Sequence, residues 1–241
     1  MKDFKEKIYS SYYTSHTKQL YGETSIEKIK RQFPVYEYYF GKQLPINKNI
    51  SVIDLGCGSG EFVYWLQNKG YKNTSGIDVS KELIEIGKGL GIQNILCDDI
   101  FNYLEKNDSK FDLMILRDVL EHFDKEETYK LITLLSTSLN ENGLIILQVP
   151  NGQSPFMGKI FYGDFTHHSA FTESSLSQLF NSVGFNEIKV FETTPVPKNI
   201  KGVFRLLIWK CIRMYLKFLQ LIATGDSSGY YSPNIIAVIK N

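Results

Sequence analysis

The chain has 241 residues, with 27 basic and 26 acidic side chains and a formal net charge of +1. A chain of this length can bury the core of one large α/β domain, and its near-neutral charge argues against a main role in binding nucleic acid. Its three cysteines, Cys57, Cys97 and Cys211, lie far apart and form no C-x-x-C spacing. This pattern argues against a disulfide framework or a zinc site, predicts a protein with no metal centre, and favours the reducing cytoplasm.

The N-terminal region, residues 1–49, is rich in aromatic side chains and has a helical pattern. It shows no apolar segment of the kind found in secretory signals. Because Pro34 would interrupt a continuous helix, we predict two short helices, around 24–33 and 34–43. We expect residues 1–49 to form a helical lid. The residues that could close the site or hold a bound carboxylate are Tyr12, Tyr13, His16 and Arg31.

From residue 50 onward, strand and helix patterns alternate. Short apolar runs predict strands, and longer amphipathic runs predict the helices that connect them. The predicted strands are 50–55, 73–79, 92–96, 111–117, 143–150, 185–193 and 234–240, and the predicted helices are 61–69, 80–90, 125–139 and 172–183. Ser80 and Asp124 are expected to cap helices, and Asn142-Gly143 to form a turn. The alternation predicts parallel βαβ units in one doubly wound α/β domain, residues 50–241.

Two stretches interrupt this alternation, 151–171 and 194–232, and we expect them to be insertions on the acceptor side. The second contains a long apolar segment, 203–223, with four basic residues: Arg205, Lys210, Arg213 and Lys217. Four charges argue against a membrane-spanning helix. Three of them fall in a narrow stripe, which predicts an amphipathic helix packed on its own domain or in a homodimer. Contact with an anionic membrane surface is the alternative.

The stretch VIDLGCGSGEF (52–62) joins a strand, an acid, three glycines and a helix. Gly56, Gly58 and Gly60 permit a tight turn and a close approach of a ligand to the backbone. A dinucleotide site would use G-x-G-x-x-G, with pyrophosphate at the N-terminus of the helix. Here the spacing is G-x-G-x-G, and the carboxylates of Asp54 and Glu61 would repel a pyrophosphate. They would suit the zwitterionic, sulfonium-bearing end of S-adenosylmethionine (SAM).

This stretch resembles motif I of class I SAM-dependent methyltransferases. Three later stretches are similar to further motifs of that family, in order: GIDVS (76–80), CDDIFNYL (97–104) and FDLMILRDVLEHF (111–123). The resemblance covers about residues 50–150. It implies SAM as the cofactor and a seven-stranded, mostly parallel sheet with an antiparallel last strand.

The resemblance also implies roles for residues at the strand ends. Asp78 would accept hydrogen bonds from both ribose hydroxyls, with Val79 beside it. Asp98 and Asp99 are both candidates for the contact to the adenine amino group, and Asp99 fits the spacing slightly better. The list of implied cofactor-binding residues is completed by Ile100, whose backbone N–H would contact the adenine ring, and Arg117 on the methionine side.

The acceptor side has weaker signals. If RDVLEHF is helical, Arg117 could pair with Glu121 and Asp118 with His122. The stretch 149–185 resembles a subgroup of methyltransferases from bacterial surface-polysaccharide and sugar-modification pathways, in which N-terminal helices and this insertion cover the acceptor. We expect His167 to be the acceptor-side base or hydrogen-bond partner. His168 and His122 are further candidates.

We therefore expect a methyltransferase that acts on a small-molecule acceptor. The expected acceptor is a hydroxyl, phosphoramidate or sugar group of a capsule or lipopolysaccharide precursor, which could be nucleotide-linked. A general base is needed only if the acceptor is a hydroxyl or a protonated amine. Two alternatives stay open: an O-methyltransferase for a quinone or other lipid-like acceptor, and a non-catalytic SAM-binding regulator.

Overall fold

The computed structural model describes residues 4–9 and 11–240 of the chain. Seven strands are found in this part: β1 Val52–Leu55, β2 Thr74–Asp78, β3 Ile95–Cys97, β4 Phe111–Arg117, β5 Leu139–Pro150, β6 Glu187–Glu192 and β7 Asn234–Lys240. The α-helices of the described residues are α1 Phe4–Tyr9, α2 Lys18–Tyr21, α3 Ile26–Phe40, α4 Glu61–Asn68, α5 Lys81–Gly89, α6 Ile100–Lys106, α7 Lys125–Ser138, α8 Met157–Phe161, α9 Glu173–Asn181 and α10 Ile200–Thr224. A π-helical turn covers Tyr13–Thr17, and a 3₁₀ turn covers Leu120–His122.

The strands form a single sheet in the order β3-β2-β1-β4-β5-β7-β6. The pairs from β3 to β5 are parallel, whereas β7 runs antiparallel between β5 and β6. This topology confirms the predicted fold class. The chain order reverses between β1 and β4, so the carboxyl ends of these two strands border the crevice in which doubly wound sheets bind ligands.

Both faces of the sheet are covered, which is why the central strands are continuously apolar. In β1, Ile53 and Leu55 belong to one hydrophobic cluster and Val52 to another, because consecutive side chains point to opposite faces. The first cluster also contains Leu131, Ile132, Leu135, Leu176 and Phe180 from α7 and α9, and the second contains Tyr36, Phe40, Phe62, Trp65 and Leu66 from α3 and α4. The two clusters fix the sheet between its helices and hold the strand ends in place.

The N-terminal region differs from its prediction at Pro34. Helix α3 is one continuous helix with Pro34 inside it, not two helices that meet there. A proline inside a helix removes one hydrogen bond and costs about 3 kcal/mol or more. Burial of Ile29 on one side of the proline, and of Tyr36 and Phe40 on the other, offsets this cost. Helix α3 therefore belongs to the hydrophobic core.

Other boundaries differ by a few residues. Strand β3 begins at Ile95 and not at residue 92, β5 begins directly after α7, and α8 lies where no helix was predicted. RDVLEHF is not a helix: Arg117 ends β4, and only a single 3₁₀ turn follows. The geometry needed for the two predicted i,i+4 pairs is therefore absent. The expected caps are confirmed, since Ser80 caps α5 and Asp124 forms a capping box with Glu127 at the start of α7.

Helix α10 covers the predicted basic apolar segment and is longer than predicted, with 25 residues. Asn199 caps its first turn by accepting a hydrogen bond from the N–H of Gly202. In the described part of the chain, no helix combines the length and the apolar character needed to cross a bilayer.

Candidate functional site

The predicted cofactor residues meet at the carboxyl ends of neighbouring strands. Asp54 lies in β1, Asp78 ends β2 and Arg117 ends β4. Because β1 lies between β2 and β4, these two acids and one cation converge on the point where the chain order reverses. A single cavity of about 830 Å³ opens there, within the size range of small-molecule sites.

Most of the predicted cofactor residues line this cavity, namely Asp54, Gly56, Gly58, Asp78, Val79, Asp99, Ile100 and Arg117. Gly60 and Asp98 are not among the described residues that line it. Gly60 is the N-cap of α4, where an added Cβ would lie 3.0 Å from both Ile92 and Ile95. Asp98 supports the turn after β3, since its backbone N–H donates to the carbonyl of Asp78 and its carboxylate accepts from the N–H of Asp99.

The glycine loop has the backbone conformation that its sequence predicts. Gly56, Gly58 and Gly60 all have positive φ, at 78°, 57° and 80°. This left-handed region is costly for residues that carry a Cβ. At Gly56 a side chain would also collide with Val119, because an added Cβ would lie 2.4 Å from a methyl carbon of that residue.

Asp78 joins the glycine loop to the second strand. One carboxylate oxygen accepts from the N–H of Gly58 and the other from the N–H of Ser80, each at 2.8 Å. An ionised carboxylate has about four lone-pair sites, so two of them remain for ribose hydroxyls. Burial raises the pKa of Asp78, although both hydrogen bonds oppose this shift.

Asp54 is almost fully buried beneath the loop. Burial raises the pKa of this carboxyl to about 7; Arg117 lowers it and Asp78 raises it. An acid in this state lies close to the point of ionisation at neutral pH, so an ammonium or sulfonium group nearby would draw it into the charged form.

Arg117 is a cation of the cavity lining, and three aromatic rings surround it. Its guanidinium carbon lies 4.7 Å from the ring centre of Phe62, 4.8 Å from that of Tyr36 and 5.6 Å from that of Phe40. Its Nε is buried and has no hydrogen-bond partner. A buried donor without a partner is costly, so this nitrogen marks a place for an anionic group such as a carboxylate.

Asp99, the predicted contact of the adenine amino group, has two roles in the structure. It lines the cavity, and its side chain caps α6 by accepting from the N–H of Asn102 at 3.0 Å. Phe101, which the sequence analysis missed, lines the same end of the cavity and packs edge-on against Phe123. Apolar walls and one acid suit a flat, amino-bearing base.

The residues of this cavity fit SAM. An acid stands where the ribose would lie, and an aromatic and apolar wall where the adenine would lie. A buried acid and an arginine whose Nε has no hydrogen-bond partner stand where the zwitterionic methionine end would lie. The described lining of the whole cavity holds two basic residues, Arg117 and Lys81, against six carboxylates, Asp54, Glu61, Asp78, Asp99, Asp118 and Glu127. This excess of acid disfavours a pyrophosphate ligand.

The acceptor side is built by a chain of hydrogen bonds that spans three segments. The Nδ1 of His122 lies 2.8 Å from the hydroxyl of Thr166, and this hydroxyl donates to Asp164 at 2.6 Å. Asp164 also accepts from the hydroxyl of Tyr12 in the N-terminal region. Because the hydroxyl proton of Thr166 goes to Asp164, its lone pair accepts from Nδ1–H of His122, which leaves the lone pair of the neutral imidazole on Nε2.

Asp164 is ionised in this chain. Burial would raise the pKa of its carboxyl, but the hydrogen bonds from Thr166 and Tyr12 lower it to about 2. His122 and Tyr12 line the cavity together with Tyr9, whose ring centre lies 6.2 Å from that of His122. Asp164 and Thr166 of the insertion are therefore joined to His122, a residue 44 positions away from Thr166.

His167 and His168 lie behind this wall, and neither is among the described residues that line the cavity. The ring centre of His167 is 4.8 Å from that of His122, and its Nδ1 lies 3.1 Å from the carbonyl of Phe161. His168 is exposed, and its backbone N–H donates to the carbonyl of Glu121 at 2.7 Å. Of the N-terminal candidates, Tyr13 is buried and Arg31 is exposed, while the side chain of His16 lies outside what the structure describes.

One cluster here could hold a metal ion. Glu121, His122 and His167 each present a ligand atom, and these atoms lie within 4.8 Å of one another. Glu121 is fully buried, burial raises its pKa well above the usual range, and one of its oxygens has no hydrogen-bond partner.

Asp118 is a further residue that the sequence analysis did not place in the site. It lines the cavity directly after β4, with a positive φ of 55°, a left-handed conformation that is uncommon for residues other than glycine. Gln148 donates to one of its oxygens at 2.8 Å and Asn234 to the other at 3.3 Å. Strained backbone of this kind concentrates at functional sites, and an acid directly after a strand of an α/β sheet was the available signal.

Comparisons with known proteins agree with this geometry. A family profile described as a methyltransferase domain matches residues 27–190. EEF1A lysine methyltransferase 2 of Danio rerio is 27% identical over 153 residues, which is 58% of this chain and 62% of that protein. Ribosomal protein L11 methyltransferase of Lactobacillus johnsonii is 35% identical over 105 residues, or 41% of this chain and 31% of that protein. The chain thus spans less than two thirds of the length of either relative.

Solved structures show the same fold at low sequence identity. A SAM-dependent methyltransferase from Archaeoglobus fulgidus has a TM-score of 0.67 at 22% identity, covering 95% of this chain and all of that one. Magnesium protoporphyrin IX methyltransferase from Synechocystis, solved with bound SAM, has a TM-score of 0.59 at 15% identity, covering 99% of this chain and 96% of that one. Because the methyltransferase profile matches more than half of the chain, the protein belongs to the methyltransferase-domain family.

Proposed function

We propose that the protein is a SAM-dependent methyltransferase that methylates a hydroxyl of a small, polar acceptor, with His122 as the general base. The observation that carries the proposal is the chain from Asp164 through Thr166 to His122 in the cavity wall. A carboxylate that orients a histidine through one intermediate group is the arrangement that hydroxyl activation requires. Bound SAM supplies a methyl carbon that its sulfonium already activates.

The cofactor residues have separate tasks in this proposal. Asp78 accepts from the ribose hydroxyls, and Val79, Ile100 and Phe101 enclose the adenine, with Asp99 near its amino group. Asp54 and Arg117 hold the ammonium and the carboxylate of the methionine end. Gly56 and Gly58 let the ligand approach the backbone, while Gly60 and Asp98 shape the turns behind it.

His122 is preferred to His167 and His168 because it is the histidine in the cavity wall. Thr166 fixes its tautomer, so Nε2 can accept the proton of the acceptor hydroxyl. His167 then has a positioning role, packed against the ring of His122 and held by the carbonyl of Phe161. Tyr12, which donates to Asp164, ties the N-terminal lid to the acceptor insertion.

A sugar or related precursor of a bacterial capsule or lipopolysaccharide, including a phosphoramidate or nucleotide-linked form, is the proposed acceptor. Hydroxyl, imidazole and carboxylate groups cluster at this end of the cavity, on Tyr9, Tyr12, Asp118, His122 and Glu127. Such a wall can satisfy the many hydroxyls of a carbohydrate, whose desolvation must be offset by hydrogen bonds. The absence of a disulfide among the three cysteines supports the cytoplasm as the proposed location.

Substitution of the histidines tests the assignment of the base. We expect His122→Gln to leave SAM affinity within a factor of two and to lower kcat by about 10²–10⁴-fold, the usual contribution of a general base. Thr166→Val should also lower kcat, because it removes the hydroxyl between Asp164 and His122. Thr166→Ser keeps that hydroxyl and should retain most of the parent kcat. His168→Gln, at an exposed position, is the matched control and should retain full activity.

Methyl uptake by nucleotide-sugars, sugar phosphates and quinols provides the assay, with SAM affinity measured by calorimetry. If His122→Gln is fully active and His167→Gln is not, His167 is the base. Loss of activity on treatment with a chelator, with recovery on addition of a divalent cation, would instead make Glu121, His122 and His167 metal ligands. SAM binding without methyl uptake by any acceptor of these classes would favour the SAM-binding regulator.

A lipid-like acceptor is the second candidate, and one observation favours it. Tyr162 and Phe165, on either side of Asp164 at the acceptor side, are 80% and 84% exposed. Large apolar side chains at the mouth of a site suit an acceptor with an apolar tail. Preferential methylation of a quinol in the same screen would establish it.

A further inference from the structure

Helix α10 presents a wide apolar face outward. Its inner side packs on the domain, where Trp209 is buried and an added Cβ on Gly202 would lie 2.3 Å from the carbonyl of Val196. The large apolar residues exposed on its outer side are Ile200, Val203, Phe204, Leu207, Ile208, Ile212, Met214, Tyr215, Phe218, Leu219, Leu221 and Ile222. A contiguous apolar surface of this extent marks an interaction site.

The positions of these residues follow helical geometry. Phe204, Cys211 and Phe218 follow one another at intervals of seven residues. Each lies about 20° around the helix axis from the one before, so the three form a line along the helix. Cys211 is exposed, which places it at the centre of the outward face. The apolar face is therefore aligned along the full length of the helix, as an in-plane contact requires.

The charges of α10 are all positive. Residues 193–225 contain no aspartate or glutamate, and α10 itself carries Lys201, Arg205, Lys210, Arg213 and Lys217. Arg213 is directed inward, where its Nε lies 2.7 Å from the carboxylate of Glu192. None of the other four lies within ion-pair distance of a carboxylate in the residues that the structure describes. Lys210 directly precedes Cys211, and Lys217 directly precedes Phe218. Both lysines therefore flank the line of Phe204, Cys211 and Phe218 on the same side.

We propose that the outer face of α10 docks the protein in the plane of an anionic lipid bilayer. Apolar side chains would enter the boundary between headgroups and acyl chains, while the flanking lysines and Arg205 contact lipid phosphates. Since no described helix can span a bilayer, the contact is peripheral. A second copy of the chain is a poorer match, because its α10 would bring a second set of cations and no acid to the interface.

The docking surface is connected to the acceptor side of the cavity. The ring of Phe156, itself 47% exposed, lies 6.2 Å from the ring of Trp209. Phe156 precedes α8, and the last residue of α8, Phe161, holds His167 through its carbonyl. Contact with a bilayer would therefore bring the acceptor insertion close to the lipid surface. The link between the docking surface and the acceptor rests on the proposed function, whereas the docking itself does not.

Fluorescence from a label on Cys211 tests the docking directly. Cys97→Ser removes the other exposed thiol and Cys57 is buried, so an environment-sensitive label such as NBD attaches at Cys211. We expect a blue shift and a rise in intensity with vesicles of phosphatidylcholine that contain phosphatidylglycerol, and little change with phosphatidylcholine alone. High salt should weaken the binding, because it screens the lysine–phosphate attraction.

Co-sedimentation of the unlabelled full chain with the same vesicles separates the contribution of the apolar side chains to binding from that of the lysines. Phe204→Glu combined with Phe218→Glu should reduce binding at least tenfold, and both positions are exposed, so folding should be retained. Lys210→Ala and Lys217→Ala should each reduce binding to anionic vesicles roughly fivefold. Ile46→Glu, at a 98% exposed apolar position outside α10, is the matched control and should bind like the parent protein.

Calorimetry with SAM on every variant keeps this test separate from the proposed function. Intact SAM binding without vesicle binding overturns the docking and leaves the enzyme assignment in place. Equal binding to zwitterionic and anionic vesicles contradicts the role of the lysines. A dimer in solution that Phe204→Glu with Phe218→Glu converts to a monomer, together with no vesicle binding, assigns the face to a second copy.

Discussion

Carboxyl groups at the strand ends give the cavity its chemical character. Asp54 is buried at the end of β1 and Asp78 is partly buried at the end of β2, and desolvation raises the pKa of both; Asp118, which is exposed, follows β4. Arg117 lies among them and partly offsets the cost of burial at Asp54. Without a ligand, this arrangement holds more acid than base. A ligand that brings positive charge therefore relieves an existing electrostatic cost, which is the physical reason that the site suits a sulfonium cofactor.

Asp54 gives a prediction for the pH dependence of stability. Its pKa is about 7 in the folded protein, compared with about 3.9 in an unfolded chain. As the pH rises from 4 to 7, the unfolded state loses this proton first, so the folded state becomes less stable relative to it. We expect Asp54→Asn to gain about 2–3 kcal/mol in unfolding free energy relative to the parent between pH 5 and pH 8.

Urea denaturation of both proteins at the two pH values measures this difference. The other ionisable groups are present in both proteins, so the contributions of those that do not interact with Asp54 cancel in the comparison. A constant difference between pH 5 and pH 8 would mean that Asp54 is already ionised in the folded state.

At the scale of elements, helix ends and strand ends define the site. The carboxyl ends of β1, β2 and β4 carry the acids and the arginine, and α4, α5 and α6 begin after β1, β2 and β3 respectively. At the starts of α5 and α6, backbone N–H groups are satisfied by the side chains of Ser80 and Asp99, which act as caps. The same residues therefore stabilise the helices and shape the cavity.

The capping box of α7 gives a prediction at this scale. Asp124 accepts from the N–H of Glu127 at 2.8 Å, and the Glu127 carboxylate accepts from the N–H of Asp124 at 3.0 Å. Asp124→Ala removes the cap and should lower the unfolding free energy by about 1 kcal/mol. Asp108→Ala, at an exposed loop position that caps no helix, is the control and should change it by less than about 0.5 kcal/mol. Equal effects of the two substitutions in urea denaturation would show that the box is not a stabilising feature.

At the scale of the molecule, distant segments meet in the acceptor wall. Tyr12 from the N-terminal region, His122 after β4 and Thr166 from the insertion are joined through Asp164. The docking surface on α10 reaches the same wall through Phe156 and α8. In the proposed function, acceptor recognition therefore depends on segments far apart in the chain, whereas cofactor recognition depends on the ends of the central strands.

Ligand binding to the folded state gives a prediction for the whole molecule. A ligand at about 100 times its Kd stabilises the fold by about 2.7 kcal/mol, and a chain of this size gains roughly 2–4 °C in Tm per kcal/mol. SAM should therefore raise the Tm by roughly 5–11 °C at that concentration, and NAD at equal concentration should not. Thermal unfolding with each compound measures this. A shift with NAD alone would contradict the fit of the cavity to SAM.

The sequence alone determined the cofactor half of the protein. A β-strand, an acid, three glycines with the right spacing and a helix are contiguous in the chain, and a parallel sheet places the ends of its strands at one edge. Asp54, Asp78, Asp99 and Arg117 could thus be assigned to one cavity without coordinates, since local patterns carry this information.

Only the tertiary structure decided the rest. Pro34 lies inside a continuous helix because core packing on both sides of it outweighs the lost hydrogen bond. The sequence favoured His167 as the base, yet the structure brings His122 into contact with Thr166 and into the cavity wall. It also shows which side of α10 faces outward, as no local pattern could. Contacts between residues far apart in sequence depend on how the insertions fold over the sheet, and hydrophobic periodicity and motif spacing report only on near neighbours.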